Sequence, residues 1–446
     1  MRVLGLDIGT TTISAVIVET EGHKIERAYT IANESFIQTN FAWEKIQNPD
    51  IILKKAGKLL DEIFEEYSDI RVIGLTGQMH GIVYLNEEGK HISPLYTWQD
   101  GRGNLTDESG RSICEILKEE FSVKAYSGYG LVTHLYNCRK GIVPEGATQL
   151  CTIMDYLGMW LTGRKTPLVH SSNAASLGLY DARRSVFLKE TLKKAGADIS
   201  LLPEVTEDFT CIGSYKGIPV GTAIGDNQAG FLGSVENAAD SMLVNMGTGG
   251  QVSALTKEFF EAKGIEARPF AKGYYLLAGS SLCGGRAYAT LEQFFRSYAE
   301  AAGMKEIDHY GVMEKLLSSR DESAEKLKVK TTFSGTRENP EKRGSIKNIS
   351  ADSFTPQALI YGVLDGMAQE LYELYGRMEK GMRMPKGRIV ASGNGIRRNR
   401  HLQEIVGKKF KMSLQMAEHE EEAAYGAALS GMIAAGMLSL KEAVNI

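Results

Sequence analysis

The sequence predicts an α/β fold built from two similar domains. Near the N-terminus, apolar residues follow the pattern of a β-strand over residues 2–8 and run directly into Gly9-Thr10-Thr11. The same order of strand, Gly-Thr turn and strand returns at Gly247-Thr248-Gly249. Other strands alternate with helical patterns, which is typical of α/β proteins. We therefore expect two duplicated domains, residues 1–238 and 239–446, each supplying one hairpin to a cleft between them.

The first domain is predicted to open with an antiparallel meander followed by a helix and a short buried strand. The strands are predicted at residues 2–8, 13–18, 24–31 and 71–75, and the helix at residues 50–67. The last of these strands ends in Thr76-Gly77-Gln78. Because ligands of α/β proteins gather at the carboxyl ends of the strands, we expect functional residues there.

The second domain is predicted to contain strands that end in glycine-rich turns and several helices. Strands are predicted at residues 241–245, 252–255 and 388–392, and helices from Thr355 as N-cap toward Met382 and from Asn399 onward. The Ala- and Gly-rich stretch 423–440 is interrupted by polar residues. It predicts a tightly packed helix in the protein interior rather than a membrane span.

Composition excludes several classes of protein. The 51 Lys and Arg residues against 55 Asp and Glu residues give a formal charge of −4, which argues against a nucleic-acid-binding protein. The five cysteines form no CxxC pair, so neither a zinc site nor a disulfide framework is predicted, and a reducing cytoplasm is the expected location. Asp7 follows too few apolar residues for a signal-peptide core, and we expect no membrane partner.

The first Gly-Thr turn has the chemistry of a phosphate loop. Its backbone N–H groups and hydroxyls, in Gly9, Thr10 and Thr11, can hold phosphate oxygens, and Asp7 is placed to hold Mg²⁺ through water. The alternative is an ordinary hairpin with an Asx turn. A second such turn at Gly247, Thr248 and Gly249 favours two loops that grip one polyphosphate. The sequence holds no GxxxxGK[ST] motif, so a Walker-type site is excluded.

An acid flanked by amides follows the apolar stretch 218–224. Asp226 could accept a proton from a hydroxyl that attacks as a nucleophile, and Asn227 and Gln228 could orient the hydroxyls of a polyol. The alternative is that Asp226 caps a helix that starts at Asn227.

Two segments are dense in hydrogen-bonding side chains and could bind a sugar. They contain Gln78, Met79 and His80 after the strand 71–75, and Trp98, Asp100 and Arg102 shortly after it, with Asn173 as a further polar candidate. A sugar requires several donors and acceptors together with an aromatic or thioether surface. For His80 a structural role is the more common alternative, and for Asn173 a simple turn.

A third glycine-rich turn follows the strand 388–392. Gly393, Asn394 and Gly395 suit a loop that approaches a flat adenine closely. The basic cluster of Arg397, Arg398 and Arg400 could contact phosphate, although such a run is more often a solvated face. Residues 420–422 are interpreted as a favourable first helical turn without function.

Together these motifs resemble the FGGY family of carbohydrate kinases, which share the actin, hexokinase and Hsp70 fold with its ribonuclease H-like domains. The resemblance spans nearly the whole chain. The segments that carry it are Asp7 to Thr11, Gly225 to Gln228, Gly247 to Gly249, the Phe333-Ser334-Gly335-Thr336-Arg337 stretch with Pro340, Ala391 to Gly395, and Glu422 to Ala428. Thr336, Asn394 and Gly249 differ from the residues usual in the family.

The resemblance implies an ATP- and Mg²⁺-dependent kinase in which Asp226 is the base. It implies that the two Gly-Thr loops hold the phosphates and that the loop at Gly393 holds the adenosine. The Gln78-Met79-His80 segment is similar to the corresponding segment of xylulokinases and sedoheptulokinases. The Trp98-Gln99-Asp100 segment favours sedoheptulose over D-xylulose as the substrate. A sugar-independent ATPase and a silent sugar-binding regulator remain alternatives, and the oligomeric state stays open, with a homodimer among the alternatives.

Overall fold

A computed structural model describes residues 1–304, 306–321, 326–336, 339, 341–382 and 386–445 of the chain. The chain divides into two compact units. The first consists of Met1–Glu236, Arg268–Tyr274 and Glu421–Ile446, and the second of Asn237–Ala267 and Tyr275–Glu420. The boundary predicted between residues 238 and 239 lies close to Glu236, where the first segment of the first unit ends. The prediction did not include the two later segments that also belong to the first unit.

The strands are β1 Arg2–Ile8, β2 Thr12–Glu19, β3 Ile25–Ala32, β4 Ile46–Gln47, β5 Ile70–Gly77, β6 Val83–Leu85, β7 Leu95–Tyr96, β8 Gln149–Cys151, β9 Leu168–His170, β10 Tyr180–Asp181, β11 Val186–Phe187, β12 Glu204–Thr206, β13 Cys211–Tyr215, β14 Ile218–Gly221, β15 Ile224–Gly225, β16 Ser241–Met246, β17 Gly250–Thr256, β18 Ile265–Ala271, β19 Tyr274–Ser281, β20 Lys328–Lys330, β21 Ser345–Lys347, β22 Arg388–Ser392 and β23 Ser413–Met416.

The helices are α1 Pro49–Glu66, α2 Ile113–Phe121, α3 Gly130–Lys140, α4 Ile153–Thr162, α5 Ser171–Ser176, α6 Lys189–Ala195, α7 Asp226–Ser234, α8 Gly285–Ala301, α9 His309–Ser318, α10 Pro356–Met378, α11 Asn394–Arg397, α12 Arg400–Phe410, α13 Glu422–Ala434 and α14 Leu440–Val444, with 3₁₀ turns at Arg102–Asn104, Ile199–Leu201 and Glu379–Gly381.

The sheet of the first unit has the strand order β13-β14-β5-β1-β2-β3, with β15 paired to β5. The strands β1, β2 and β3 form the predicted antiparallel meander, and β5 lies parallel to β1. Consecutive residues of β1 and β2 are buried, as expected for strands of a sheet that is covered on both faces. This topology brings the carboxyl ends of β1, β5 and β15 to one edge of the sheet.

Helix α13 packs closely on this sheet and on α7 because the contacting residues lack side chains. A Cβ at Gly74 of β5 would lie 1.7 Å from Ala427 O, and a Cβ at Gly426 would lie 1.8 Å from Ala229 O. Only glycine permits backbones to approach so closely. The interior helix predicted for residues 423–440 is thus confirmed, but it ends at Ala434 rather than at Leu440.

The sheet of the second unit has the strand order β18-β19-β17-β16-β22-β23. The strand β16 is antiparallel to β17 and parallel to β22. Thr355 caps α10 as predicted, since its side chain accepts a hydrogen bond from Ala358 N, and Asn399 caps α12 in the same way through Leu402 N. Helix α10 ends at Met378, short of the predicted Met382, and continues as a 3₁₀ turn.

Within the described ranges, no helix combines the length and the apolar character that crossing a membrane requires.

Candidate active site

Asp226 lies where β15 ends and α7 begins. Gly225 pairs with Gly77 of β5, so Asp226 and Gln78 follow neighbouring strands at the same edge of the sheet. Helix α7 starts at Asp226 itself, with Gly225 as its N-cap. The alternative in which Asp226 caps a helix that starts at Asn227 is therefore wrong. A carboxylate in the first turn of a helix interacts favourably with the helix dipole.

The surroundings of Asp226 suit a group that exchanges a proton. Burial raises the pKa of Asp226, although a hydrogen bond from Asn227 and the charge of Arg268 oppose this shift. Asn227 Nδ2 donates to Asp226 Oδ1 over 2.6 Å, and Arg268 Nη1 donates to Asn227 Oδ1 over 2.7 Å. A carboxylate with a raised pKa is a stronger base, and a nearby cation keeps it ionised.

Asp7 is the second acid of this region, on β1 beside the first glycine-rich turn. Burial, together with the negative charges of Asp226 and Glu421, raises its pKa to about 7. Its Oδ1 atom is buried and has no hydrogen-bond partner among the described residues. An unpartnered carboxylate oxygen that is costly to ionise fits a nearby divalent cation.

The described residues contain no cluster of three or more His, Cys, Asp or Glu side chains that could enclose a metal ion. Mg²⁺ commonly keeps several waters and takes one or two carboxylates plus phosphate oxygens, so the single carboxylate of Asp7 is enough as the protein ligand.

The turn Gly9-Thr10-Thr11 joins β1 to β2, and its backbone is held in place from the side. Asn33 Nδ2 donates to Gly9 O over 2.7 Å, and Asn33 N donates to Thr11 O over 2.8 Å. Thr11 is exposed. The hydroxyl of Thr10 is already engaged, because it accepts from Trp98 Nε1 over 2.9 Å and donates to Gln78 Oε1 over 3.4 Å.

Gln78, Met79 and His80 follow β5 directly. Gln78 is 4% exposed, and Met79 contacts the region of Asp226, since its sulfur lies 3.6 Å from Asn227 Nδ2. His80 adopts a positive φ of 75°, stacks on Tyr129 at 4.7 Å and has its Nδ1 2.6 Å from Ser176 O. A left-handed conformation in a residue other than glycine persists only where its surroundings fix it.

Trp98 and the residues that follow it have two different environments. Trp98 is 46% exposed and presents an aromatic face. Asp100 and Arg102 are buried and bind each other, with Arg102 Nε donating to Asp100 Oδ1 over 2.7 Å and Arg102 Nη1 donating to Asn137 Oδ1 over 2.8 Å. Gln99 lines a separate cavity of about 450 Å³ with Phe36 and neighbouring residues.

Asn173 and Gln228 are fully buried, and each has an oxygen without a partner among the described residues. Asn173 Nδ2 donates to Ala223 O over 3.0 Å, just before β15, and Gln228 Nε2 donates to Pro269 O over 2.8 Å. Ser172 Oγ accepts from Gly225 N over 3.0 Å. These contacts fix the backbone on both sides of Asp226.

In the second unit, Gly247-Thr248-Gly249 forms the turn between β16 and β17. Its carbonyls accept hydrogen bonds from the start of α8: Gly285 N donates to Gly247 O over 2.9 Å, and Arg286 N donates to Thr248 O over 3.0 Å. Thr248 is exposed. A Cβ at Gly247 would meet no described atom within 4 Å, so this turn leaves open space beside it.

The glycine-rich turn after β22 packs on the start of the same loop. A Cβ at Gly393 or at Gly395 would lie 2.7 Å from Met246 O, and Asn394 begins the short helix α11. Arg397 Nη2 donates to Ala417 O and His419 O, and Arg400 forms an ion pair with Glu404 over 3.4 Å. Thr336 belongs to the described part of the Phe333 stretch, whereas Arg337 and Pro340 lie outside the described residues.

The sequence did not indicate a role for several residues near these sites: Asn33, Gln47, Arg268, Gly284 and Gly285. The glycine pair before α8 had a readable signal, because adjacent glycines after a strand often mark a close backbone approach. A Cβ at Gly284 would lie 2.3 Å from Gly249 O. The others are single polar residues distant in sequence from the motifs they contact.

Comparison with known proteins identifies the family and the fold of the chain. The N-terminal domain model of the FGGY family of carbohydrate kinases matches residues 2–233, and the C-terminal domain model matches residues 242–435. The sedoheptulokinase of Mus musculus is 25% identical over an alignment of 468 positions, gaps included, that covers 96% of each chain.

Among solved structures, the xylulose kinase of Rhodospirillum rubrum has a TM-score of 0.85 at 19% identity, covering 100% of this chain and 92% of that one. The Plasmodium falciparum glycerol kinase with ADP has a TM-score of 0.81 at 17% identity, covering 99% and 91%. These likenesses confirm the predicted two-domain α/β fold. Since the two family models together span most of its length, the chain belongs to the FGGY family of carbohydrate kinases.

Proposed function

We propose that this chain transfers the γ-phosphoryl group of ATP to the terminal primary hydroxyl of a ketose, with sedoheptulose as the favoured substrate. The observation that carries the proposal is the position of Asp226. It is a half-buried carboxylate with a raised pKa, at the same strand edge as Gln78 and Asp7. The exposed indole of Trp98 supplies an apolar surface for the carbon face of a sugar.

In the proposed reaction Asp226 accepts the proton of the sugar's terminal hydroxyl. The hydroxyl oxygen then forms a bond to the γ-phosphorus in line, while the bond from that phosphorus to the β,γ-bridging oxygen breaks and ADP leaves. Arg268 acts through Asn227 to hold the carboxylate in position and ionised. Phosphoryl transfer depends on positioning and charge neutralisation, so one base and well-placed loops suffice.

The phosphates are assigned to the backbone of the two glycine-rich turns. In the first, the Thr10 hydroxyl is engaged on the side of Trp98 and Gln78, so the N–H groups of the turn and the exposed Thr11 hydroxyl are the candidate donors. In the second turn, the exposed Thr248 is a candidate donor. The separate turn at Gly393 is assigned to the adenosine. Mg²⁺ bound near Asp7 would neutralise phosphate charge.

The choice of a ketose rests on the residues after β5 and on the relatives. Gln78, Met79 and His80 offer an amide, a thioether and an imidazole in sequence, a mixed surface suited to a polyol. One relative that is similar over 96% of the chain is the sedoheptulokinase of Mus musculus, and D-xylulose is the alternative substrate. Asp100 and Arg102 bind each other, so we now assign them to holding the segment of Trp98 in shape.

All five cysteines are free thiols, which supports the expectation of a reducing compartment such as the cytoplasm.

The test is a coupled assay of ADP release with sedoheptulose, D-xylulose, ribulose, fructose and glycerol side by side. We expect ketose-dependent release with the largest kcat/KM for sedoheptulose. A preference for glycerol would reject the substrate class. ADP release that does not depend on any added sugar would instead support a sugar-independent ATPase.

A further inference from the structure

A closed ring of hydrogen bonds joins Thr10, Gln47 and Gln78 within the first unit. Gln47 Nε2 donates to Thr10 O over 2.8 Å, Gln78 Nε2 donates to Gln47 Oε1 over 2.8 Å, and the Thr10 hydroxyl donates to Gln78 Oε1 over 3.4 Å. Trp98 joins the ring from outside, because its Nε1 donates to Thr10 Oγ1 over 2.9 Å. Gln47 is 0% exposed, so water does not readily replace its two bonds.

The direction of every bond in this ring is determined by its chemistry. The carbonyl of Thr10 only accepts, and the indole N–H of Trp98 only donates. Gln47 must therefore present its nitrogen to Thr10 and its oxygen to Gln78. Gln78 in turn presents its nitrogen to Gln47 and its oxygen to the Thr10 hydroxyl. If either amide flipped, two donors or two acceptors would face each other.

We propose that Gln47 is a positioning residue that couples the sugar-facing side chains Gln78 and Trp98 to the first phosphate loop. This inference rests on the proposed function, because that function assigns Gln78 and Trp98 to the sugar and the Gly9 to Thr11 turn to phosphate. Thr10 is the junction: its carbonyl is held by Gln47, and its hydroxyl is held by Gln78 and Trp98. A sugar that contacts Gln78 or moves the indole of Trp98 thereby changes the restraint on the loop.

A purely structural role for Gln47 would depend on its shape, whereas the proposed role depends on the polarity of its amide. The variant Gln47→Glu separates the two. A protonated glutamate has the shape of glutamine, donates its O–H to Thr10 O and accepts from Gln78, as the amide does. An ionised glutamate sets an acceptor against the Thr10 carbonyl and breaks the ring.

We therefore measure kcat/KM for sedoheptulose from pH 8 to pH 6 and divide the value of Gln47→Glu by that of the wild type. Burial raises the pKa of a carboxyl group, so protonation of the introduced glutamate falls in this range. Titration of Asp7 and Asp226 is common to both proteins and cancels in the ratio. We expect the ratio to rise about tenfold as the pH falls. The control Gln293→Glu, at an exposed position of α8, is expected to give a flat ratio.

A double-mutant cycle tests the coupling itself. Gln47→Met removes the two side-chain bonds of Gln47, and Trp98→Phe removes the bond to Thr10 Oγ1. The ring connects the two residues through Thr10 and Gln78. If each variant raises KM for the sugar about tenfold, the double variant should raise it by no more than about twentyfold, because the second change acts on a ring that is already broken. Independent effects would multiply to about a hundredfold and would overturn the proposal.

A measurement without turnover keeps this inference distinct from the proposed function. The indole N–H resonance of Trp98, assigned through Trp98→Phe, is recorded in the ligand-free protein. We expect Gln47→Met to shift it and Gln293→Glu to leave it in place. If no ketose is phosphorylated but the resonance shifts, the proposed function fails and the ring stands. If ketose is phosphorylated, the pH ratio is flat and the resonance does not move, the ring is overturned.

Discussion

The substitution Gly233→Ala tests how the fold positions Asp226. Helix α7 carries Asp226 at its first residue and Gly233 near its end. A Cβ at Gly233 would lie 2.0 Å from Glu422 O and 2.8 Å from Gly426 N, both backbone atoms at the start of α13. To reach an ordinary contact of about 3.5 Å, the two helices must separate by roughly 1.5 Å.

Two opposing effects determine the size of the change. Overpacking of this kind costs about 1–3 kcal/mol, and replacing glycine by alanine in a helix returns up to about 1 kcal/mol. We expect the free energy of unfolding to fall by about 1–2 kcal/mol. A displacement of Asp226 by about 1 Å lowers kcat by up to about 100-fold, because phosphoryl transfer depends on alignment.

The matched control is Gly230→Ala on the same helix, where a Cβ would meet no described atom within 4 Å. This variant should keep its kcat and be as stable as the wild type or more stable. Urea unfolding and initial rates with saturating ATP and sugar measure both quantities. If Gly233→Ala unfolds at the same urea concentration as Gly230→Ala and has the same kcat, the close contact between α7 and α13 does not position Asp226.

Three further outcomes are expected. Because the positive charge of Arg268 lowers the pKa of Asp226, Arg268→Met should move the acid limb of the pH profile of kcat/KM to higher pH, and an unmoved limb would contradict this role. Burial raises the pKa of Asp155 to about 7, so its contribution to stability is fully present below about pH 4 and is lost as the pH rises through 7. Urea midpoints at pH 5 and pH 8 should therefore differ less in Asp155→Asn than in the wild type, and an equal difference would count against this assignment. Arg102→Met should cost about 3–5 kcal/mol of unfolding free energy, since it leaves Asp100 buried without its cation, and a loss confined to sugar affinity would show the pair to be a ligand site instead.

The elements that carry the site could be predicted from sequence because their signals are local. Alternating apolar residues indicated β1, and a Gly-Thr turn directly after a strand indicated each of the two proposed phosphate loops. Asp226 was recognisable because it follows an apolar strand and precedes two amides. The family resemblance added the order of these motifs, and the two domain models confirm the family.

The contacts that hold the site in place could not be predicted in this way. Gln47 binds Gln78 across 31 residues, and Arg268 binds Asn227 across 41. Each is a single polar residue in an ordinary local pattern, and only tertiary folding gives it a partner. The chemistry of Asp100 and Arg102 suited a sugar, but the sequence did not indicate that both side chains would be buried and bind each other.

The most direct test of the proposed role of Asp226 combines binding and turnover in Asp226→Asn. We expect titration calorimetry to show binding of ATP and sedoheptulose as in the wild type, because the substituted amide keeps the size of the carboxylate. Single-turnover phosphorylation should slow by at least about 100-fold, since the proton acceptor is gone. An unchanged single-turnover rate in Asp226→Asn would show that another group accepts the proton.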